Sequence, residues 1–187
     1  MITLNVYRLR DDLVLPTYGT TLANCFDLSF QPTTDHVIGY NKYNNSTSQK
    51  INNFGEMSIH PGDRLLIPTG LIFKLERNIT IEKFSDIVKY DNDYPLRNFS
   101  IRLHPRSGLS LKRGLVLANS EGIVDVDYQE QVFVLLTNIS STDQIIKAGE
   151  RIAQAEVVCN TPFEFRIVAT SPEKHSERSG GFGSTGV

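Results

Sequence analysis

The sequence predicts an all-β domain, an antiparallel barrel or jelly-roll-like sandwich with one short helix. Short β-branched or alternating runs follow one another along most of the chain, and turn signals rich in Pro, Gly, Asp and Asn separate them. No long segment shows the 3.6-residue period of an amphipathic helix. A chain of 187 residues supports one domain of ordinary size.

The runs predict six strands. They cover residues 64–67, 71–75, 99–103, 131–137, 151–158 and 163–168. The turns between them are predicted at residues 61–63, 68–70, 148–150 and 160–162. Residues 110–113 are helix formers followed by Gly114, which predicts a short helix that ends at the glycine.

Two internal segments and the end of the chain differ from this pattern. Residues 31–55 are rich in Asn, Ser and Thr, and residues 76–98 are mixed and charged. Both are interpreted as insert-like surface loops of a domain of residues 1–170, and a partner-binding surface is the alternative. Residues 171–187 are interpreted as a flexible arm, because its glycines lose much backbone freedom on ordering and bury nothing.

Composition excludes several classes of protein. The net charge of −2 gives no basic footprint, which argues against a dedicated nucleic-acid binder. The sequence shows no long apolar stretch and no secretory signal. We therefore expect no membrane partner and a cytoplasmic location. Cys25 and Cys159 form neither a disulfide framework nor a metal-site spacing, and both are expected to be buried thiols.

An anion site is indicated where Arg106, Ser107 and Gly108 follow an alternating apolar run. A Ser-Gly turn that opens a helix directs backbone N–H groups to one point, and the arginine adds a charged fork. A surface turn with a helix cap is the alternative. The C-terminal arm has a similar composition for phosphate and base, with Arg178, Phe182 and two hydroxyl residues, and a disordered tail is its alternative.

Carboxylates alternate with branched apolar residues just after position 122. On a regular strand, Asp125 and Asp127 would share one face with Ile123. The other face would carry Val124, Val126 and Tyr128. A carboxylate on an otherwise apolar strand is costly unless it is paired or functional, and an ordinary solvated strand face is the alternative.

Taken together, these segments resemble the five ordered motifs of the trimeric all-β dUTP pyrophosphatases (dUTPases). The motifs match Ala23-Asn24-Cys25-Phe26-Asp27-Leu28, Pro105-Arg106-Ser107-Gly108, residues 119–131, Gly149-Glu150-Arg151-Ile152-Ala153-Gln154 and residues 178–186. Each motif alone is weak, but five in the family's order across nearly the whole chain are specific. The resemblance implies a β-clip fold and a homotrimer in which the C-terminal arm closes another subunit's site. It also implies hydrolysis of dUTP to dUMP and pyrophosphate, which limits uracil in DNA and supplies dUMP for dTMP synthesis.

The resemblance also implies roles for residues around the phosphates. Asp125 would activate the water that attacks the α-phosphorus, and Mg²⁺ would be the cofactor, bound on the triphosphate. Asp27 would hold waters of that metal, with a structural role as the alternative, whereas Arg151 would be a structural ion-pair partner. The phosphate contacts would come from Arg106, Ser107, Gly108 and Gln154.

Base recognition and closure complete the implied site. Asn119 and the backbone of Gly122, Ile123 and Val124 as far as Asp125 would bind the uracil edge, and Tyr128 would pack under the deoxyribose. From the arm, Arg178 would act catalytically on the γ-phosphate and Phe182 would cover the uracil. Gly183, Ser184 and Thr185 would add substrate contacts.

The chain departs from the family pattern in three places. Cys25 stands where a glycine is usual, the residues after Tyr128 are Gln129, Glu130 and Gln131 without a glycine, and one residue fewer separates Arg178 from the glycines. A dCTP deaminase is one alternative, but residues 132–136 lack the acid that deamination needs. A nucleotide-gated, partner-binding trimer is another. The long loops and Asn-rich body suit a phage or other viral enzyme.

Overall fold

Antiparallel strands make up most of the computed structural model, which describes residues 2–77 and 96–171 together with Glu173 and His175. The all-β expectation is confirmed. The strands are β1 (Ile2–Arg8), β2 (Thr17–Tyr18), β3 (Phe26–Ser29), β4 (His36–Tyr40), β5 (Ser46–Lys50), β6 (Glu56–Ile59), β7 (Arg64–Pro68), β8 (Leu71–Arg77), β9 (Phe99–His104), β10 (Leu115–Leu117), β11 (Gly122–Val124), β12 (Phe133–Asn138), β13 (Gln144–Lys147) and β14 (Arg151–Cys159). A 3₁₀ turn (Leu96–Asn98) precedes β9, and the helix α1 (Ser107–Arg113) follows it.

Two five-stranded sheets share one hydrophobic core. Sheet I has the order β10-β12-β7-β4-β5, and sheet II has the order β11-β9-β14-β3-β2. Two-stranded ladders, β1–β8 and β6–β13, complete the domain. Leu65, Leu136, Leu28 and Ile101 show how both sheets direct alternate side chains into the same buried cluster. The jelly-roll-like expectation therefore describes the packing of the chain.

The outer face of sheet I carries apolar side chains on its central strands, β12, β7 and β4. Leu66 on β7 lies opposite Leu135 on β12 and is exposed, although both of its neighbours in sequence are buried. A groove of about 540 Å³ crosses this face, and we call it the outer groove. It is lined by Ile38, Gly39, Tyr40, Asn44, Ser46, Arg64, Leu66 and Leu135.

Residues 31–55 do not form a surface loop, which corrects the sequence-based interpretation. They contain β4 and β5, and β4 pairs with β7 at Gly39 and Tyr40, so the segment extends sheet I. Val37 and Ile51 belong to the core. The polar composition misled the interpretation because β5 is polar on both faces and none of its five residues is fully buried. Of residues 76–98, the first two end β8 and the last three form the 3₁₀ turn, while residues 78–95 lie outside the described part.

The strand expected at residues 163–168 is wrong. These residues have no regular secondary structure, and Phe165 and Ile167 are 92% and 99% exposed. Alternation of apolar side chains produces a strand where a sheet edge accepts it. Within residues 2–77 and 96–171 this segment pairs with no edge. The other five predicted strands are confirmed to within two residues at their ends.

The predicted helix is confirmed and is one turn longer at its N-terminus than expected. α1 ends at Arg113, and the residue after it, Gly114, has a φ of 62°, the left-handed conformation of a helix C-cap. In the part of the chain that the structure describes, α1 is the longest helix, and its seven residues cannot cross a membrane.

Candidate functional site

A cavity of about 540 Å³ lies between β11 and β12, and we call it the β11 cavity. Its lining includes six residues that the sequence singled out for the site. The lining residues are Leu66, Leu103, Leu117, Asn119, Gly122, Ile123, Val124, Asp125, Tyr128, Val132, Phe133 and Leu135. An apolar wall with a few polar groups and exposed backbone at one end is typical of small-molecule sites.

The turn before β11 shapes the entrance of this cavity. Ser120 adopts a positive φ of 62°, an uncommon conformation for a residue other than glycine. The amide of Ser120 donates to the Leu117 carbonyl at 3.1 Å, and the amide of Glu121 donates to the Asn119 carbonyl at 2.7 Å. These bonds close a tight turn that holds Asn119 at the cavity.

Gly122 lets the backbone of β11 run close to its neighbour β9. A Cβ atom at this position would lie 3.0–3.2 Å from three side-chain atoms of Leu103. A larger residue would require the Leu103 side chain to give way by a few tenths of an ångström. The glycine therefore keeps the Gly122–Val124 backbone at the cavity wall.

The chain turns after Val124, which corrects the expected alternation of faces beyond that residue. β11 ends there, and the Tyr128 amide donates to the Asp125 carbonyl at 3.2 Å. Asp125 and Asp127 are both exposed, while Asp125 and Tyr128 both line the β11 cavity. The Tyr128 hydroxyl donates to the Gln131 carbonyl at 2.9 Å, which fixes the direction of the ring.

A second group of predicted site residues surrounds Asp27 on β3. Its Oδ1 lies 3.2 Å from Nε of Arg106, and its Oδ2 lies 2.9 Å from an η nitrogen of Arg151. The carboxylate is buried, with 9% of the residue exposed. We call these three residues the Asp27 cluster. The contact confirms the expected ion-pair role of Arg151, and two guanidinium groups around one carboxylate leave a positive excess that favours an anion.

Gln154 and the start of α1 adjoin the Asp27 cluster. Gln154 on β14 lies opposite Asp27 in the β3–β14 register, and its amide donates to the Pro105 carbonyl at 3.1 Å. Ser107 and Gly108 follow in the first turn of α1 and are exposed. A Cβ atom at Gly108 would meet nothing within 4 Å, so the space on the Cβ side of this residue is open. The first, second and fourth motifs are thus neighbours in one subunit.

The structure gathers the predicted residues into two groups rather than one. Five predicted residues were assigned to the phosphates and the metal: Asp27, Arg106, Ser107, Gly108 and Gln154. None of them belongs to the described lining of the β11 cavity. The predicted arm residues Arg178, Phe182, Gly183, Ser184 and Thr185 lie outside the described residues.

Among the described site residues, Asp27 is the candidate for contact with a metal ion, through water. Within residues 2–77 and 96–171, no three His, Cys, Asp or Glu side chains converge on one point. Asp27 accepts one arginine contact on each oxygen, yet a carboxylate has about four lone-pair sites. Asp27 can therefore still accept hydrogen bonds from metal-bound waters, and Mg²⁺ commonly keeps several of its waters.

Two features of the site were not found from the sequence. Leu66, Phe133 and Leu135 form an apolar wall of the β11 cavity, although nothing local marks them as different from other strand residues. Arg113 contacts Glu150, which is 37 residues away.

The expectation of two buried thiols is wrong, because Cys25 is half-buried and Cys159 is exposed at the end of β14.

Comparisons with known proteins agree on one family. The family model described as dUTPase matches residues 68–186. The deoxyuridine 5'-triphosphate nucleotidohydrolase of Hydrogenobaculum sp. (strain Y04AAS1) is 31% identical over 183 residues, which are 97% of this chain and 96% of that protein. The enzyme of the same name from Bartonella bacilliformis is 35% identical over 142 residues, 70% of this chain and 69% of the relative.

Solved structures share the fold. The dUTPase of Staphylococcus bacteriophage 80alpha with dUPNHPP superposes with a TM-score of 0.68 at 17% identity and 99% coverage of both chains. The dUTPase of Streptococcus mutans gives a TM-score of 0.51 at 20% identity, covering 87% of this chain and 98% of that one.

Proposed function

The chain belongs to the dUTPase family and hydrolyses dUTP, and we propose that it does so in a composite site that joins the β11 cavity of one subunit to the Asp27 cluster of another. The separation of these two groups within one chain is the observation that carries the proposal. Each group alone has part of the chemistry: the cavity can hold a nucleoside, and the cluster can hold phosphates. The reaction yields dUMP and pyrophosphate, which keeps uracil out of DNA and supplies dUMP.

The β11 cavity is the proposed nucleoside site. Backbone groups of Gly122–Val124 and the side chain of Asn119 would pair with the uracil edge. Cytosine reverses the donor and acceptor at two edge positions, so buried polar groups would be left unpaired and the base would be strongly refused. Tyr128, held by its bond to the Gln131 carbonyl, would pack against the deoxyribose where a ribose 2′-hydroxyl would collide.

Asp125 is the proposed general base. It is exposed at the lining of the cavity and follows directly after β11, so a rigid strand positions its carboxylate beside the bound nucleoside. From this position the carboxylate would orient a water molecule and accept its proton as the water attacks the α-phosphorus.

The phosphate chain is proposed to bind at the Asp27 cluster and the first turn of α1. Arg106 would donate to phosphate oxygens, and Asp27 would hold its guanidinium in place. Ser107 and Gly108 would add a hydroxyl and an amide, and Gln154 would donate near the α-phosphate. Mg²⁺ would neutralise charge on the triphosphate, with Asp27 accepting hydrogen bonds from its waters.

A homotrimer would bring the two groups together and provide the last component. Residues 171–187 are proposed as an arm that closes another subunit's site. Arg178 would contact the γ-phosphate, Phe182 would cover the base, and Gly183, Ser184 and Thr185 would add donors. The apolar side chains on the outer face of β12, β7 and β4 are suited to burial against another subunit. A cytoplasmic location, where nucleotide substrates are available, is part of the proposal.

Pyrophosphate release from dUTP, dCTP, dTTP and UTP with Mg²⁺ tests this function. Turnover should be confined to dUTP, and Asp125→Asn should lower kcat by roughly 10²- to 10⁴-fold. Asp127→Asn is the matched control, because Asp127 is an equally exposed carboxylate two residues away that does not line the cavity. Equal losses in both variants, or turnover of dCTP, would sink the assignment.

A further inference from the structure

The helix α1 carries two proposed phosphate ligands but has little packing of its own. None of its seven residues is buried. Leu109 is partly exposed and packs against the core. A helix of this length is not stable in isolation. The packing of Leu109 is thus a small support for Ser107 and Gly108, and contacts made elsewhere on the helix add to it.

Arg113, the last residue of α1, makes the contacts that can do so. Its Nε donates to Gln144 Oε1 at 3.2 Å, one η nitrogen donates to Glu150 Oε1, and the other donates to the Ile145 carbonyl. All three guanidinium nitrogens are engaged. The side chains of Arg113 and Glu150 are each 26% exposed, so the ion pair is more shielded than a surface pair.

Glu150 is itself held firmly in the turn between β13 and β14. Its Oε2 accepts a hydrogen bond from the Lys147 amide at 3.1 Å, and its own amide donates to the Lys147 carbonyl at 2.9 Å. Its carbonyl accepts from the amide of Phe30 at 2.8 Å, which fixes the turn to the end of β3. These hydrogen bonds hold Glu150 in one position, where Arg113 contacts it.

The two ends of the helix are tied to consecutive residues. At the N-terminus, Arg106 contacts Asp27 and donates to the Arg151 carbonyl at 3.4 Å. At the C-terminus, Arg113 contacts Glu150. Residues 150 and 151 are neighbours in sequence, so both arginines attach α1 to one short stretch beside the Asp27 cluster. The helix is clamped from both ends against the same turn.

We propose that Arg113 is a positioning residue for phosphate binding, which acts through Glu150 to hold Ser107 and Gly108 against the Asp27 cluster. This inference rests on the proposed function, because it assigns a purpose to the place where the phosphates would bind. Loss of the clamp would let α1 shift while the β11 cavity stays intact, since none of the cavity's described lining residues belongs to α1.

The test compares binding of two probes by calorimetry. Arg113→Ala should weaken binding of a non-hydrolysable dUTP analogue by roughly ten- to a hundredfold, because small displacements of positioned groups have such effects. Binding of deoxyuridine, which has no phosphate, should be unchanged. Lys112→Ala is the control, since it removes the same charge from an exposed neighbour on the same helix and should alter neither affinity.

Two further variants keep the test decisive if Arg113→Ala folds poorly. Arg113→Lys retains the charge but loses the fork, and should recover part of the analogue affinity. The double variant Arg113→Glu with Glu150→Arg restores an opposite-charge pair and should bind the analogue better than either single variant. Equal weakening of both probes, or no weakening of the analogue, overturns the inference.

The outcome is separable from that of the proposed function. Failure of the wild-type protein to hydrolyse dUTP would overturn the function, whatever Arg113 does. Binding of the analogue needs no turnover. Equal analogue affinity in the wild-type protein and in Arg113→Ala would overturn the positioning role alone.

Discussion

At the scale of single residues, Asp27 is expected to contribute both to the stability of the fold and to phosphate binding through Arg106. Asp27→Asn removes the charge that faces Arg106 and Arg151 and leaves a buried amide against two guanidinium groups. We expect a loss of about 1–3 kcal/mol in the free energy of unfolding, together with a higher KM for dUTP because Arg106 is no longer held. Urea denaturation and steady-state kinetics measure the two effects.

Asp12→Asn is the matched control for this variant. Asp12 also pairs with an arginine, Arg10, at 3.0 Å, but both side chains are largely exposed. The Arg10 hydrogen bond lowers the pKa of Asp12, which is a surface effect that solvent screens. Neither urea midpoint nor KM should change. A loss in Asp12→Asn as large as that in Asp27→Asn would contradict the proposed role of burial.

The two cysteines differ in environment and should differ in reactivity. Burial, followed by the charges of Glu156 and Asp27, raises the pKa of the Cys25 thiol, whereas Cys159 is exposed. Because the thiolate is the reactive form, iodoacetamide at neutral pH should modify Cys159 first and Cys25 only slowly. Mass spectrometry of tryptic peptides over time gives the order. Faster labelling of Cys25 than of Cys159, with Cys159→Ser as a check, would refute it.

At the scale of elements, the hairpin β4–β5 depends on one glycine. A Cβ atom at Gly39 would lie 2.0 Å from the Arg64 carbonyl oxygen and 2.8 Å from Cα of Leu65, both backbone atoms that cannot move aside cheaply. Gly39→Ala should therefore lower the free energy of unfolding by about 1–3 kcal/mol through overpacking. Ser48→Ala, an exposed change on β5, is the control. Equal urea midpoints for all three proteins would contradict the close contact.

The ladder β6–β13 carries a pH-dependent pair. Glu56 and Lys147 are directly opposite in register, with Nζ and Oε1 2.7 Å apart. The hydrogen bond from Lys147 lowers the pKa of Glu56 from its ordinary 4.5. Its stabilising effect is thus present above pH 4.5 and is lost as the pH falls through the lowered pKa.

Glu56→Gln should accordingly be less stable than the wild-type protein at pH 6, and the difference should vanish in acid. The same hydrogen bond raises the pKa of Lys147 above 10.5, so the pair is also lost in strong alkali. Urea midpoints at pH 3, 6 and 8 report the difference. A constant gap at all three values would show that charge pairing at Glu56 is not responsible.

Sequence patterns predicted some elements and failed at others for identifiable reasons. Strands such as β8 and β14 have local alternation and turn signals at their ends, which made them visible. β5 is polar on its outward face and lacks that signal. Residues 163–168 have the alternation but no edge to pair with in the described chain. The Arg113–Glu150 contact joins residues 37 apart, and no local pattern encodes such a pairing.

At the scale of the whole molecule, a composite site predicts complementation between inactive subunits. Arg106→Ala and Asp125→Asn proteins should each be nearly inactive. When they are unfolded together in equal amounts and refolded, random assembly pairs an intact Asp125 with an intact Arg106 at roughly one site in four, half times half. Pyrophosphate release should recover to about that fraction of wild-type activity. Mixtures no more active than the separate variants would place all these residues in one subunit's site.

Leu66 and Leu135 line both the β11 cavity and the outer groove of sheet I. These two side chains thus lie between the β11 cavity, where the base is proposed to bind, and the outer groove, which another molecule could contact. A substitution of Leu66 or Leu135 therefore changes both surfaces at once. Evolution of the surface that contacts another molecule and evolution of substrate specificity therefore act on the same two side chains.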